Sequence, residues 1–220
     1  MIPGLVVGRS GGVTVVLSPE GAVAGVDTRG APLGTRELDL LDPPNLVQRV
    51  HAVCVPSGGT RGLAAVAGVV RWLAERNHGF PVGTESHQVV PLVPAAVVFD
   101  GDPSTPDDGY AACTTPAEAG ASTRVGEHTV GGLVFPGVGI VAVDAVLTKA
   151  QCRRIAICAH DGLVRTGHRG PATVFALATG ARDLASPFDL DQLCTAATDR
   201  LEFASRTLAH PVSNLQTPRV

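Results

Sequence analysis

The apolar positions change period several times along the chain, and each change predicts an element. Val13–Leu17 is apolar and β-branched, the composition of a buried strand. Ala22–Val26 reads as its hairpin partner, with Ser18-Pro19-Glu20-Gly21 as the turn. Residues 28–44 hold three glycine or proline breaks followed by Pro43-Pro44, so they read as a structured loop. Val50–Val55 is a further strand, and Ser57-Gly58-Gly59 breaks the chain before a helix over Thr60–Asn77. In that helix Leu63, Val66, Ala67, Val70, Leu73 and Ala74 form one apolar stripe, with Arg71, Glu75 and Arg76 on the wet side.

Val89–Phe99 is strand-like but interrupted by Pro91 and Pro94, which implies an edge or a bend. Residues 100–109 read as a loop, 109–119 as a short helix, and 120–132 match neither period. Val138–Val143 is a strand. Thr148-Lys-Ala-Gln151 is a capping box opening a helix to Arg165, with Cys152, Ile155, Ala156, Ala159 and Leu163 facing inward. Thr173–Thr179 is a buried strand and Leu190–Leu208 a last helix. The order predicts an α+β or layered α/β fold, as one domain over residues 1–210 with a mobile tail over 211–220.

Composition narrows the function classes. The net charge of −3 gives no electrostatic footprint for nucleic acid, and aromatics at 4% supply few stacking platforms. No apolar run reaches the ~18 residues of a membrane span, and residues 1–17 lack a signal-peptide pattern. The five scattered cysteines have neither disulfide nor zinc spacing, so they read as buried thiols of a cytoplasmic protein. Neither a metal constellation nor a dinucleotide fingerprint is visible, so no cofactor is expected.

Four blocks carry a resemblance. They are Gly12–Pro43, with its Gly34-Thr-Arg-Glu37 core; Val50–Glu75; Val90–Asp100 with Gly109–Ala112; and Asp144–Leu163 followed by Thr173–Gly180. Together they resemble the DmpA family of L-aminopeptidase/D-esterases, which includes the β-peptidyl aminopeptidases and the nylon-oligomer hydrolase NylC. The resemblance implies an αββα sandwich, a homo-oligomer (commonly a tetramer), and self-cleavage that frees an N-terminal Ser or Thr as nucleophile.

The departures from the family pattern concern that nucleophile. The family chain is longer by roughly a hundred residues, and Gly131–Ala145 reads as a fusion of two family segments. In one register the nucleophile position falls on Pro136, between Phe135 and Gly137. In the other, Asp144 takes the place of a catalytic Asn and the nucleophile segment is absent. The family's Asp-Gly-Asp is replaced by Gly170-Pro171-Ala172, and its glycine-rich turn by Ser57-Gly58-Gly59-Thr60-Arg61-Gly62.

The candidate site residues follow from these positions. Ser57, Gly58 and Gly59 precede a helix, where backbone N–H groups can hold an oxyanion or carboxylate; Thr60 and Arg61 extend that substrate-binding set. Tyr110, Asp144, Glu127, His128 and His168 are the candidate acids and bases. Arg36, Glu37, Asp39, His160 and Asp161 are read as structural, and Arg169 as a companion of His168. Three functions stand open: a repurposed enzyme doing cyclisation, isomerisation or acyl transfer on a small molecule; a family aminopeptidase or amidase; and a non-catalytic binding or assembly protein. Thr114, Thr115, Ser122, Thr123 and Thr129 are the hydroxyls nearest the fused segment for the second.

Overall fold

The computed structural model describes residues 2–118 and 120–209; the tail expected from residue 211 lies outside them. Nine strands form one hydrogen-bonded sheet. They are β1 (Val6–Ser10), β2 (Val13–Arg29), β3 (Thr35–Arg36), β4 (Arg49–Val55), β7 (Ala95–Ala96), β8 (Ser122–Val125), β9 (His128–Phe135), β10 (Val138–Ala145) and β11 (Ala172–Arg182). Their order is β3-β7-β4-β2-β11-β10-β9-β8, with β1 also on β2. Strands β5 (Phe80–Pro81) and β6 (Val89–Val90) pair separately. The helices are α1 (Ala65–Ala74), α2 (Pro106–Thr114), α3 (Lys149–Arg165) and α4 (Pro187–Ala209).

The sheet is folded across β2, and this is where the expected hairpin fails. Val13–Leu17 and Ala22–Val26 belong to one 17-residue strand. Leu17 pairs with Ala52 and Ala22 with Val50, so Ser18–Gly21 bulges opposite His51 alone. A bulge bends a strand and increases its twist without ending it. The Arg49 guanidinium donates to the Gly21 carbonyl at 2.8 Å and holds the bend. The first half of β2 pairs with β1, and the second half with β11.

The folding makes two layers with helices outside both. Val13, Val15 and Leu17 pack with Ala52, Cys54 and α1 residues Val66 and Val69 on one outer face. Val174, Ala176, Val141 and Val143 pack under α3 and α4 on the other. Between the layers, Val16 and Val53 meet Phe175, Leu177, Val138, Ile140 and Ala142. The alternation in β10 and β11 is the period-2 signature of strands buried on both faces. The αββα sandwich implied by the resemblance is the architecture observed.

The capping box at Thr148 forms as expected, Gln151 Oε1 accepting from the Thr148 amide at 2.8 Å. Helix α3 joins the parallel strands β10 and β11 as a βαβ unit. Gly25 lets it approach β2: a Cβ there would lie 2.2 Å from the Arg153 amide nitrogen. The α1 region differs in phase from its expected stripe. It opens as a 3-10 helix over Gly59–Ala64, which has about three residues per turn. The face therefore rotates, so that Ala65 and Val69 are buried while Ala67 and Ala74 are exposed. Residues 106–114 form α2, three residues earlier than expected, because Thr105 caps it with Asp108. The stretch 120–132 holds β8 and the start of β9.

Candidate functional site

The β9–β10 hairpin sets the geography, because its two ends carry the two groups of candidate residues. Its turn is Pro136-Gly137, and Phe135 pairs with Val138 across it. The turn packs on the start of β11: the Gly137 carbonyl accepts from the Thr173 amide at 2.9 Å. A cavity of about 180 Å³ opens here at the end of the central layer, walled by Pro32, Leu33, Val97, Phe99, Pro136 and Pro171. Val138 and Thr173, neighbours in the β10–β11 register, form part of its lining.

Among the described residues no ionisable side chain lines this cavity. Among them Thr173 carries the one side-chain heteroatom of the lining, and its hydroxyl is fully buried with no hydrogen-bond partner. His168, half-buried, lies behind the wall with Nε2 3.3 Å from the Pro171 carbonyl, and Arg169 is exposed beside it. Neither lines the cavity.

The opposite end of the hairpin is charged and closed. Six residues of β10 separate Val138 from Asp144, about 20 Å at the rise of a strand. Asp144 and His128 are 2% and 4% exposed. Asp144 Oδ1 lies 3.3 Å from His128 Nδ1 and accepts from the Thr129 amide at 2.9 Å. Arg182 reaches Asp144 Oδ2 at 3.5 Å and Glu127 at 4.0 Å. Sequence-predicted Asp144, His128 and Glu127 thus do come together, but two of the three are shut away from solvent.

The remaining candidates are dispersed. The N–H groups of Ser57, Gly58 and Gly59, expected to hold an oxyanion, already donate to the carbonyls of Gly12, Asp100 and Val98 at 2.9–3.1 Å. Gly58 and Gly59 have φ of 82° and 66°, a conformation that favours glycine. A Cβ on Gly58 would lie 2.2 Å from Pro103 Cα. The turn is a strand-to-helix joint whose three N–H groups are already paired within the chain. Thr60 and Arg61 are exposed just past it. Tyr110 lies on the outer helices, its hydroxyl donating to Glu75 at 2.7 Å and its ring under Arg71 at 4.6 Å. Among the described residues no group of three or more His, Cys, Asp or Glu could hold a metal ion.

The residues read as structural behave so. Glu37 accepts from the Arg36 side chain and from the Val93 amide, each at 3.0 Å, pinning the fingerprint loop. Lys149, which the sequence reading missed, donates from a buried Nζ to the carbonyls of Leu40, Asn45 and Val47. Burial lowers its pKa. His160 Nδ1 lies 2.9 Å from Asp27 Oδ2, off the hydrogen-bond direction, and Asp27 also takes Arg29 at 2.9 Å. Burial first, then the Arg29 charge, lowers the pKa of His160 despite Asp27. All five cysteines are free thiols, and burial pushes Cys113, Cys152 and Cys194 up to about 12. That keeps them protonated and unreactive. Among the described residues no helix is long and apolar enough to cross a membrane.

Comparison with known proteins places this architecture. The sequence model of peptidase family S58 matches residues 5–134 and 136–208; the chain belongs to that family, the family of DmpA. A Mycobacterium tuberculosis protein named as an uncharacterized aminopeptidase is 34% identical over 259 residues, covering 77% of this chain and 74% of its own. A Mycobacterium leprae protein of the same description is 33% identical over 269 residues, covering 81% and 74%. Since 77% of 220 residues is about 170, some ninety of the 259 aligned positions have no residue here (259 less 170). The fold is shared with a Burkholderia β-aminopeptidase (TM-score 0.66, 17% identity, 92% of this chain and 83% of that one). It is also shared with the L-aminopeptidase D-Ala-esterase/amidase of Ochrobactrum anthropi (TM-score 0.65, 16% identity, 92% and 83%).

Proposed function

We propose that this chain uses the S58 scaffold to bind a small molecule in the Pro136–Pro171 cavity, without an autoprocessed N-terminal nucleophile. One observation carries the reading. The cavity sits where the resemblance puts the nucleophile and its acids, yet among the described residues the one side-chain heteroatom of its lining is the buried Thr173 hydroxyl. An activated nucleophile needs a base and an orienting group within hydrogen-bond reach, and Thr173 Oγ1 has no partner among the described residues. The family match breaks at residue 135, next to Pro136, which supports the register that puts proline at the nucleophile position. Tyr110, Glu127, His128 and Asp144 do not line the cavity. Any cyclisation, isomerisation or acyl transfer there draws its reactive groups from the bound molecule. A homo-oligomer, tetrameric by the resemblance, belongs to the same reading.

The second reading is an aminopeptidase, favoured by the likeness to the mycobacterial aminopeptidases. It requires an internal cleavage that exposes Ser or Thr. Intact mass after days at neutral pH, followed by amide hydrolysis assays, separates the two. A single uncut chain with no amide release is expected. Two fragments, the second starting with Ser or Thr, overturn the proposal and install the aminopeptidase.

A further inference from the structure

We propose that Cys158 and Cys194 form a reversible oxidation site, in which a peroxide joins the two thiols as a disulfide that ties α3 to α4. The inference is independent of the reading of the cavity as a ligand site.

Helices α3 and α4 run parallel, and their contacts advance in step. Arg154 meets Asp191 at 2.6 Å, Arg165 meets Asp199 at 3.3 Å and Thr166 meets Ser205 at 2.8 Å. The backbones touch at Gly162, where a Cβ would lie 2.3 Å from the Thr198 carbonyl oxygen. Cys158 stands four residues before Gly162, and Cys194 four before Thr198. Residues four apart share a helix face, so one turn back the two cysteines face each other as Gly162 and Thr198 do. Thr198 fixes the same level. Its hydroxyl donates to the Cys158 carbonyl at 2.8 Å and to the Cys194 carbonyl at 3.1 Å, so the two oxygens are at most 5.9 Å apart (2.8 plus 3.1). A disulfide needs Cα atoms about 4.4–6.8 Å apart, a spacing within the reach of helices this close.

The surroundings divide the roles. Burial first, then the neighbouring Cys158 thiol, pushes Cys194 up to about 12, so Cys194 does not start the reaction. Cys158 is half-buried at the seam of the two helices, and of the five cysteines it alone is not buried. Its sulfur attacks the peroxide O–O bond, which breaks to give a sulfenic acid and one water. The Cys194 sulfur then attacks the sulfenic sulfur. The S–O bond breaks, and the hydroxyl leaves with the Cys194 proton as a second water. The two thiols give up two electrons and two protons, and the peroxide takes both. Cys54 and Cys113 are neighbours too, Cys113 adding to the upward push of burial on Cys54, but both are buried.

The test exposes the full, reduced chain to hydrogen peroxide under conditions that oxidise free cysteine, then maps its peptides by mass spectrometry without reduction. A mass two hydrogens lower is expected, with the peptides of Cys158 and Cys194 joined, and dithiothreitol is expected to reverse both. The oxidised chain is expected to melt about 5–10 °C higher, because the bond closes a long loop of the unfolded chain. Cys158→Ser is expected to lose the cross-link. In Cys194→Ser, Cys158 is expected to go on to the sulfinic acid, two oxygens heavier. A Cys54–Cys113 cross-link in its place, or sulfinic acid on wild-type Cys158 with no cross-link, overturns the pairing. An unchanged mass overturns the site. A cross-linked chain that melts below the reduced one overturns the geometric fit. Mapping of wild type decides the pairing even where a serine variant does not fold.

Discussion

The two ends of the β9–β10 hairpin divide between them what a hydrolase needs in one place. At the Pro136 end there is space and an apolar wall, with no titratable side chain among the described lining residues. At the Asp144 end there are a carboxylate, an imidazole and a guanidinium in contact, with the first two closed to solvent. The same residue types that catalyse when they face a cavity hold strands together when they do not. Asp144 fastens the β9 backbone at Thr129 and the end of β11 at Arg182, across three strands. The difference teaches that a His–Asp contact is informative about chemistry only together with access.

The largest expected effect tests that division. Asp144→Ala leaves His128, the Thr129 amide and Arg182 without their shared acceptor. Breaking a buried pair by removing one partner costs about 3–5 kcal/mol. Pro136→Ala, at an exposed turn, is expected to stay within about 0.5 kcal/mol of wild type. Urea unfolding of both variants checks this. A cost near zero for Asp144→Ala would mean that water reaches this end, and that its acid–base groups are open to a substrate after all.

Sequence patterning revealed the elements with clean periods and missed those where the chain's path overrides period. The α3 capping box, its inward stripe and the β11 strand are local properties, so they were legible. The Ser18–Gly21 bulge was not. Pro-Glu-Gly reads as a turn unless one knows that β4 continues past it on both sides. The rotated α1 face needed the 3-10 turn, which Gly58 and Gly59 impose through their φ rather than through apolar spacing. At the site, Asp144, His128 and Glu127 were singled out one by one by residue type, and their meeting follows from the β9–β10 pairing. Their burial could not be read, because it depends on which strands pack across them. Thr173 was read as strand core, and only its unpartnered hydroxyl singles it out. Lys149 was legible as a cap-adjacent residue but not as the clamp on residues 40–47, which lie more than a hundred positions away.

The next effect is on pH dependence, and it falls on the frame rather than on the cavity. His51 is held below its ordinary value by burial and by the nearby His78, and His160 by burial and Arg29. As pH falls below about 6.5 the unfolded chain takes up these protons first, so stability is expected to fall with acidification through that window. Above it both histidines are neutral in either state and contribute no slope. His160→Asn is expected to flatten part of the dependence in urea unfolding series.

The smallest expected effect is the most pointed. Pro136→Thr returns a hydroxyl to the position at which the resemblance places the nucleophile. If the two ends differ only by that residue, the chain should now cut itself before position 136 and gain amidase activity. If they differ as the structure describes, nothing follows. The new hydroxyl would face a wall of proline, leucine and phenylalanine. Gly170-Pro171-Ala172 supplies no carboxylate. The His128–Asp144 pair is about 20 Å away along β10, and the His160–Asp27 pair lies on the helix-covered face of the sheet, away from the cavity. A hydroxyl without a base is a weak nucleophile. The expected outcome is therefore an uncut, inactive Pro136→Thr chain by intact mass and amide assay. Cleavage would show that the scaffold still holds the rest of the hydrolytic machinery, and that the loss is one residue deep.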